Sequence, residues 1–439
     1  MDRPREQALA VLLQAEQGAP ASGPLERSRK NFGARDNAFI LELVMGVLRN
    51  RSRIDWLLDR FSSKPVSATD GETRNLLRLA AYQLLFLDKV PASAAVNTAV
   101  ELAKVHGKKH GYVNGLLRNL ERNRNSLPLP DSPDPVQRLS LVHSHPGWLV
   151  RRWSGRFGVG RTEEILRRNN EPSPLVVRTN AIRNSRDELL AALGSQGAEA
   201  RPTEFAPSGI EILSSPGLTP LPAFNEGRFL VQDEAAQLVS LLLAPQPGET
   251  VLDACAAPGG KATHLAELMQ DQGTVVALER DRDRIGRIRE NSERLGLSIV
   301  QPVAGDASAF NEGNYDRILI DAPCSGLGVL RRHPDGRWIK REKDLAERAK
   351  LQSRILDNCA KLLKTGGVLV YATCTTEPEE NEDVIAAFLT RNGDFSLDNP
   401  RPYLPEAAVR LVDGHLFFRT FPGEPAMDGF FAARMNKQG

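Results

Sequence analysis

Cysteine is scarce: the 439 residues hold four, at 255, 324, 359 and 374, and no Cys-x-x-Cys pair occurs. That excludes a disulfide framework and a zinc ribbon or finger. Seven histidines lie scattered without pairing, which argues against a metal site. No apolar run approaches the roughly 18 residues of a membrane span. The opening MDRPREQALAVLLQAEQ interrupts its short apolar run with charge and lacks a signal-peptide pattern. The expectation is a monomer in a reducing cytoplasm, with no membrane and no metal. What is present is ordinary for a globular chain, 41% hydrophobic and 26% charged, and the length suits two to four domains.

The net charge of +2 hides an asymmetry. Residues 1–130 hold 20 Lys and Arg against 13 Asp and Glu, a net of +7; the remainder holds 37 against 42, a net of −5. A basic first third on a mildly acidic body favours a polyanionic partner, nucleic acid foremost.

Three parts follow from the patterning. Over 1–130, segments such as AFILELVMGVLRNRSRIDWLLDRF and TRNLLRLAAYQLLFL repeat apolar residues at i, i+3, i+4 and i+7 and predict an all-α domain. The proline-rich stretch SLPLPDSPDPVQRLS, residues 126–140, reads as a linker. Residues 141–235 mix strands (PLVVRTNA, IEILSSPG) with a capped helix, SRDELLAALGSQG, and predict a small α+β module. From 236 to 439 strands alternate with helices, which predicts a doubly wound parallel sheet of Rossmann-like type, with GHLFFRTFP and DGFFAARM as a closing hairpin.

DACAAPGGKATHLAE, from residue 253, is a strand, a glycine turn and a helix start. Gly259 and Gly260 admit a ligand close to the backbone, and a helix N-terminus offers free N–H donors. Glu279 ends the next strand, where doubly wound folds place a carboxylate on ribose hydroxyls. The loop fits neither the dinucleotide fingerprint nor the phosphate loop. A cofactor with a ribose and no pyrophosphate is expected, and S-adenosylmethionine fits. Cys255, Ala256, Ala257, Pro258, Gly259, Gly260, Lys261, Glu279, Asp306 and Asp321 are the expected cofactor contacts.

The motifs DACAAPGGK, DAPCSGLG and YATCT with PEENE resemble those of the RNA (cytosine-5)-methyltransferases, over about residue 141 to the end. The helical part, with RLAAYQLLFL and YVNGLLRNL, resembles the NusB-like RNA-binding domain. The combination is similar to bacterial 16S ribosomal RNA cytosine-5 methyltransferases. The resemblance implies a 16S ribosomal RNA partner with position 967 as its target.

Carbon 5 of cytosine is a poor nucleophile, and a thiolate adding at carbon 6 activates it. Such chemistry needs a cysteine, an acid, a base and a methyl donor. Cys374 and Cys324, with Asp321, fall at the predicted ends of two strands, and Lys261 opens the helix after the glycine loop. By the resemblance the Thr-Cys residue, Cys374, attacks; the Pro-Cys residue, Cys324, serves product release; Asp321 and Lys261 complete the catalytic set. Cys359, mid-helix, is expected in the core, and Cys255 to offer backbone. RNA contacts are sought in LRRHPDGRWIKREK, at Arg331, Arg332, Arg337, Trp338 and Lys340, and at Arg151, Arg152 and Arg156 beside Trp148 and Trp153. Two other readings remain: the same chemistry on tRNA, or a non-catalytic, antitermination-like RNA-binding factor.

Overall fold

The computed structural model describes residues 2–423 and 427–439. By its contacts the chain divides into two compact units. One runs to Glu171 and includes Leu330–Glu342; the other is Pro172–Val329 with Lys343–Gly439.

The first unit is helical, as expected: α1 (Arg3–Glu16), α2 (Ser22–Ser28), α3 (Ala34–Phe61), α4 (Gly71–Phe86), α5 (Ala92–Val105), α6 (His110–Arg122), α7 (Pro135–Val142), α8 (Gly147–Phe157) and α9 (Val159–Arg168). Asp2 caps α1 through the Arg5 N–H, and Asp70 caps α4 through the Thr73 N–H. Leu9, Val44, Leu77, Val96 and Leu117, each from a different helix, meet in one core. The expected linker is shorter than drawn. Pro135 occupies the first turn of α7 and Asp134 caps the helix, so this proline costs no hydrogen bond. By contacts, residues 141–171 group with the helices before them.

Two sheets form the second unit. β1 (Leu175–Thr179), α10 (Arg186–Ser195), β2 (Glu199–Pro202), β3 (Gly209–Ser214), α11 (Pro222–Asn225) and β4 (Phe229–Val231) make a small antiparallel sheet, ordered β2-β3-β1-β4. A capping box between Ser185 and Glu188 starts α10. The large sheet draws on α12 (Glu234–Leu243), β5 (Thr250–Asp253), α13 (Gly260–Leu268), β6 (Thr274–Glu279), α14 (Arg282–Leu295), β7 (Val300–Ala304) and β8 (Tyr315–Asp321). After the short α15 (Gly336–Ile339), which belongs to the first unit, come α16 (Asp344–Lys361), β9 (Leu363–Thr373), α17 (Glu382–Arg391), β10 (Phe395–Leu397), β11 (Phe418–Arg419) and β12 (Phe431–Lys437).

The large sheet is ordered β10-β12-β9-β8-β5-β6-β7, with β11 paired to β12. It is parallel from β9 to β7, as a doubly wound fold requires; β12 then runs antiparallel to β9. The sheet is therefore mixed rather than wholly parallel. Alternation sends Val251 and Leu319 to one core, with α12, α13 and α14, and Leu252 and Ile320 to the other, with α16 and α17. Helices on both faces leave the carboxyl ends of the strands as the open crevice.

Candidate active site

The strand ends carry the chemistry. Asp253 closes β5, Glu279 closes β6, Asp321 closes β8, Asp306 lies just past β7 and Cys374 just past β9. A cleft of about 250 Å³ is lined by Cys255, Ala257, Glu279, Asp306, Asp321, Cys324 and Cys374, seven of the expected site residues. Arg280, Arg284, Leu351 and Ile355 line it too.

Gly259 holds φ +98°, and a Cβ there would come within 3.2 Å of the Ile288 backbone, so the turn needs glycine. The remaining loop residues shape the cleft through backbone. Ala256 is buried and its N–H bonds to Leu278 O at 2.9 Å, while Pro258 is exposed and its carbonyl accepts from Asn291 at 2.9 Å. Neither residue lines the cleft. Glu279 Oε2 accepts from the Ala257 N–H at 3.2 Å and Oε1 from the Asp281 N–H at 2.9 Å. Its carboxylate thus fixes the loop and still faces the cleft. Asp306 is held below the usual carboxylate range by the hydroxyl and N–H of Ser308, at 2.7 and 2.9 Å.

Two acceptor carboxylates, close-approach backbone and an apolar wall from Leu351 and Ile355 suit a nucleoside cofactor.

Catalytic candidates converge opposite the loop. Lys261 Nζ donates to Asp321 Oδ2 at 2.7 Å and stands 5.3 Å from the Phe430 ring centroid. Burial works against the ammonium, but Asp321 outweighs it and holds the Lys261 pKa above its ordinary value. The sulfurs of Cys324 and Cys374 lie 3.1 Å apart, and the Cys374 N–H points at Cys324 Sγ, 3.3 Å away. The hydrogen bond to Cys324, burial and the Asp321 charge push the Cys374 thiol well up, and Lys261 pulls it down. Cys359 is core, as expected, and burial lifts its thiol to about 12.

Sequence reasoning missed three features. Asp253 is fully buried, and burial and Asp321 raise its carboxyl to about 7. Arg178, also fully buried, leaves the small sheet to bond Gly260 O at 2.6 Å, Thr263 Oγ1 at 3.0 Å, Glu267 Oε1 at 2.7 Å and Gln232, and so holds the start of α13. A charged residue inside the apolar run PLVVRT was the available signal. Arg280 directly follows β6 and Arg284 lies in the first turn of α14, positions that sequence alone leaves open.

Several proposed RNA contacts are structural instead. Arg337 is fully buried and donates to Ser144 O at 3.1 Å, Asn169 O at 3.2 Å and Asn170 Oδ1 at 2.7 Å. Trp338 Nε1 donates to Leu48 O at 2.8 Å, and Trp153 is buried. A guanidinium with three partners inside the first unit is an anchor, and so is an indole with its N–H satisfied by a helix carbonyl. Arg331 donates to Glu171 O at 3.3 Å, while Arg151 remains exposed and Lys340 partly so. Among the described residues no group of His, Cys, Asp and Glu is placed to hold a metal ion, and no helix is long and apolar enough to cross a membrane.

The sheet order, the glycine loop and the strand-end acids define a Rossmann-like methyltransferase. Three family models match: "16S rRNA methyltransferase RsmB/F" over residues 240–436, the NusB family over 2–122, and an RsmF/B-like ferredoxin-like domain over 145–218. The chain is 38% identical over 445 residues to the probable ribosomal RNA small subunit methyltransferase B of Bacillus subtilis, covering 99% of each. It is 37% identical to the ribosomal RNA small subunit methyltransferase B of Salmonella typhi, covering 98% of this chain and 97% of the other. Among solved structures, PH0851 matches with TM-score 0.82 and 29% identity over 98% of both chains. A methyltransferase homolog from Pyrococcus horikoshii matches with TM-score 0.60 and 30% identity, covering 70% of this chain and 100% of that one. The chain belongs to the RsmB/F family of ribosomal RNA small-subunit methyltransferases.

Proposed function

We propose that this chain methylates carbon 5 of a cytosine in 16S ribosomal RNA through a covalent adduct between Cys374 and carbon 6, working as a monomer in the cytoplasm. The observation that carries the reading is the pairing of the two sulfurs at 3.1 Å beside the Lys261–Asp321 pair. S-adenosylmethionine, held by Glu279, Asp306 and the loop, supplies the sulfonium methyl that carbon 5 takes up.

Everything else falls to the chain and the base. The target nucleotide leaves its stack to reach the cleft. The raised Cys374 thiol must first lose its proton, and the Lys261 ammonium favours the thiolate so formed. The sulfur bonds to carbon 6, and the electron pair of the 5,6 double bond moves to carbon 5. The Lys261 ammonium, oriented by Asp321, stabilises the negative charge that develops on the ring. After methylation a base takes the carbon 5 proton, the C–H electron pair re-forms the 5,6 double bond and the Cys374 thiolate is expelled from carbon 6. Cys324 assists this last step. The net change is one proton released per methyl transferred.

Labelled methyl donor offered to naked 16S ribosomal RNA, to assembled small subunits and to tRNA tests the substrate. Label should enter the ribosomal RNA at carbon 5 of cytosine; label confined to tRNA would reassign the enzyme. Cys374→Ala should abolish transfer and leave donor affinity within about twofold, because the thiolate acts on the base. Full activity in that variant would remove Cys374 as nucleophile.

A further inference from the structure

Behind the two sulfurs lies a buried polar cluster that the proposed reaction does not use. Glu380 is 0% exposed. Its Oε2 accepts from the Ser325 N–H at 2.8 Å and from Gln352 Nε2 at 2.9 Å. The same Gln352 amide donates to Pro323 O at 3.2 Å. The residues on both sides of Cys324 are therefore held by one carboxylate and one amide, from the turn after β9 and from α16. The Tyr371 hydroxyl donates to Glu380 O at 2.6 Å, which fixes the turn to β9.

Cys374 is held differently. Its neighbour Thr373 pairs with Phe431 in the sheet and donates through Oγ1 to Asn381 at 2.6 Å, and the Cys374 carbonyl accepts from the Gly328 N–H at 3.0 Å. The two loops are also joined by Ser325 to Thr375 at 2.8 Å, the Cys374 N–H to Cys324 Sγ at 3.3 Å and that Gly328 N–H. Removing the Glu380 side chain would thus take away the carboxylate hold on Ser325 and Gln352 and loosen the Cys324 loop, while the sheet still holds Cys374.

We propose that Glu380, acting through Gln352 and Ser325, is a positioning residue that sets the place of the Cys324 sulfur and so governs release of the methylated RNA more than attack on it. This rests on the assignment of attack to Cys374 and release to Cys324. Burial raises the Glu380 carboxyl above its ordinary range. Glutamine keeps an oxygen able to accept both hydrogen bonds; alanine does not.

The test incubates full-length Cys324→Ala, Glu380→Ala, Gln352→Ala and Glu380→Gln with 16S ribosomal RNA and labelled methyl donor. Free methylated RNA and the labelled protein–RNA band that survives a denaturing gel are both measured, with donor affinity as a control. Glu380→Ala and Gln352→Ala should raise the ratio of adduct to free product about tenfold or more, toward the Cys324→Ala level, since a displacement of about 1 Å is costly to a catalytic step. Glu380→Gln should restore the wild-type ratio. A merely structural role would lower adduct and product together, and that result overturns the inference. If Cys324→Ala traps adduct and neither alanine variant does, the inference alone falls. If Cys324→Ala traps none, the underlying assignment falls and takes the inference with it. Should Glu380→Ala fail to fold, Gln352→Ala decides.

Discussion

Lys261, the second residue of α13, donates from Nζ to Asp321 Oδ2 at 2.7 Å, joining the cofactor loop to the end of β8. The Lys261 charge acts to lower the Cys374 pKa. Lys261→Met should therefore lift the Cys374 thiol further, because the thiolate loses its cation. The acid limb of the rate profile should move to higher pH, and the rate near neutrality should fall about tenfold for each pH unit the limb moves. Single-turnover rates across pH check it, and an unmoved limb would remove Lys261 from thiolate stabilisation.

Glu279→Ala should weaken S-adenosylmethionine binding. Charge-assisted bonds to a ribose are worth roughly 1.5–3 kcal/mol, a ten- to hundredfold rise in dissociation constant. Asp306 is more exposed, so Asp306→Ala should lose less. Titration calorimetry reads both, and unchanged affinity in Glu279→Ala would refute the ribose role.

Asp253 makes part of the stability pH-dependent. Its buried carboxyl titrates at about 7 against an ordinary 3.8. The folded chain therefore binds this proton more tightly than the unfolded chain. The stability it contributes is full below the ordinary value and is lost as pH rises through about 7. Asp253→Asn stays neutral throughout, so it should gain on the wild type as pH rises across that window, by at most about 4 kcal/mol. Melting temperatures of both proteins from acid to neutral pH measure this, and parallel curves would show that Asp253 is ionised in the fold.

Deleting residues 1–130 removes a segment of net charge +7, and ribosomal RNA affinity should fall with a flatter salt dependence. It also strips Trp338 of the Leu48 carbonyl, and Asp335 of the Ala21 N–H that it accepts at 3.0 Å. The segment Leu330–Glu342 should then loosen around Asp335 and Trp338, and trypsin should cut within it faster than in the intact chain, although Arg337 keeps its bonds to Ser144, Asn169 and Asn170. A truncated protein with the same salt slope would show that the basic helices do not contact RNA, and an uncut segment would show that it holds its shape without them.

Sequence alone determined the helical first part, the strand–glycine turn–helix at Asp253–Lys261 and the strand-end placing of Glu279, Asp321 and Cys374. Each of these is written in local spacing: a 3.6-residue period, a turn that only glycine adopts, a strand that stops at a polar residue. Tertiary structure decided the rest, because the partners come from remote parts of the chain. Fifty residues separate Cys324 from Cys374, yet their sulfurs meet at 3.1 Å. Arg337 reads as an RNA-binding charge in its own segment and becomes an anchor because Ser144, Asn169 and Asn170 close around it. Arg178 likewise has no partner near it in sequence; Glu267 stands 89 residues away. A buried charge is stable only where distant donors and acceptors converge on it, and no local pattern encodes that convergence.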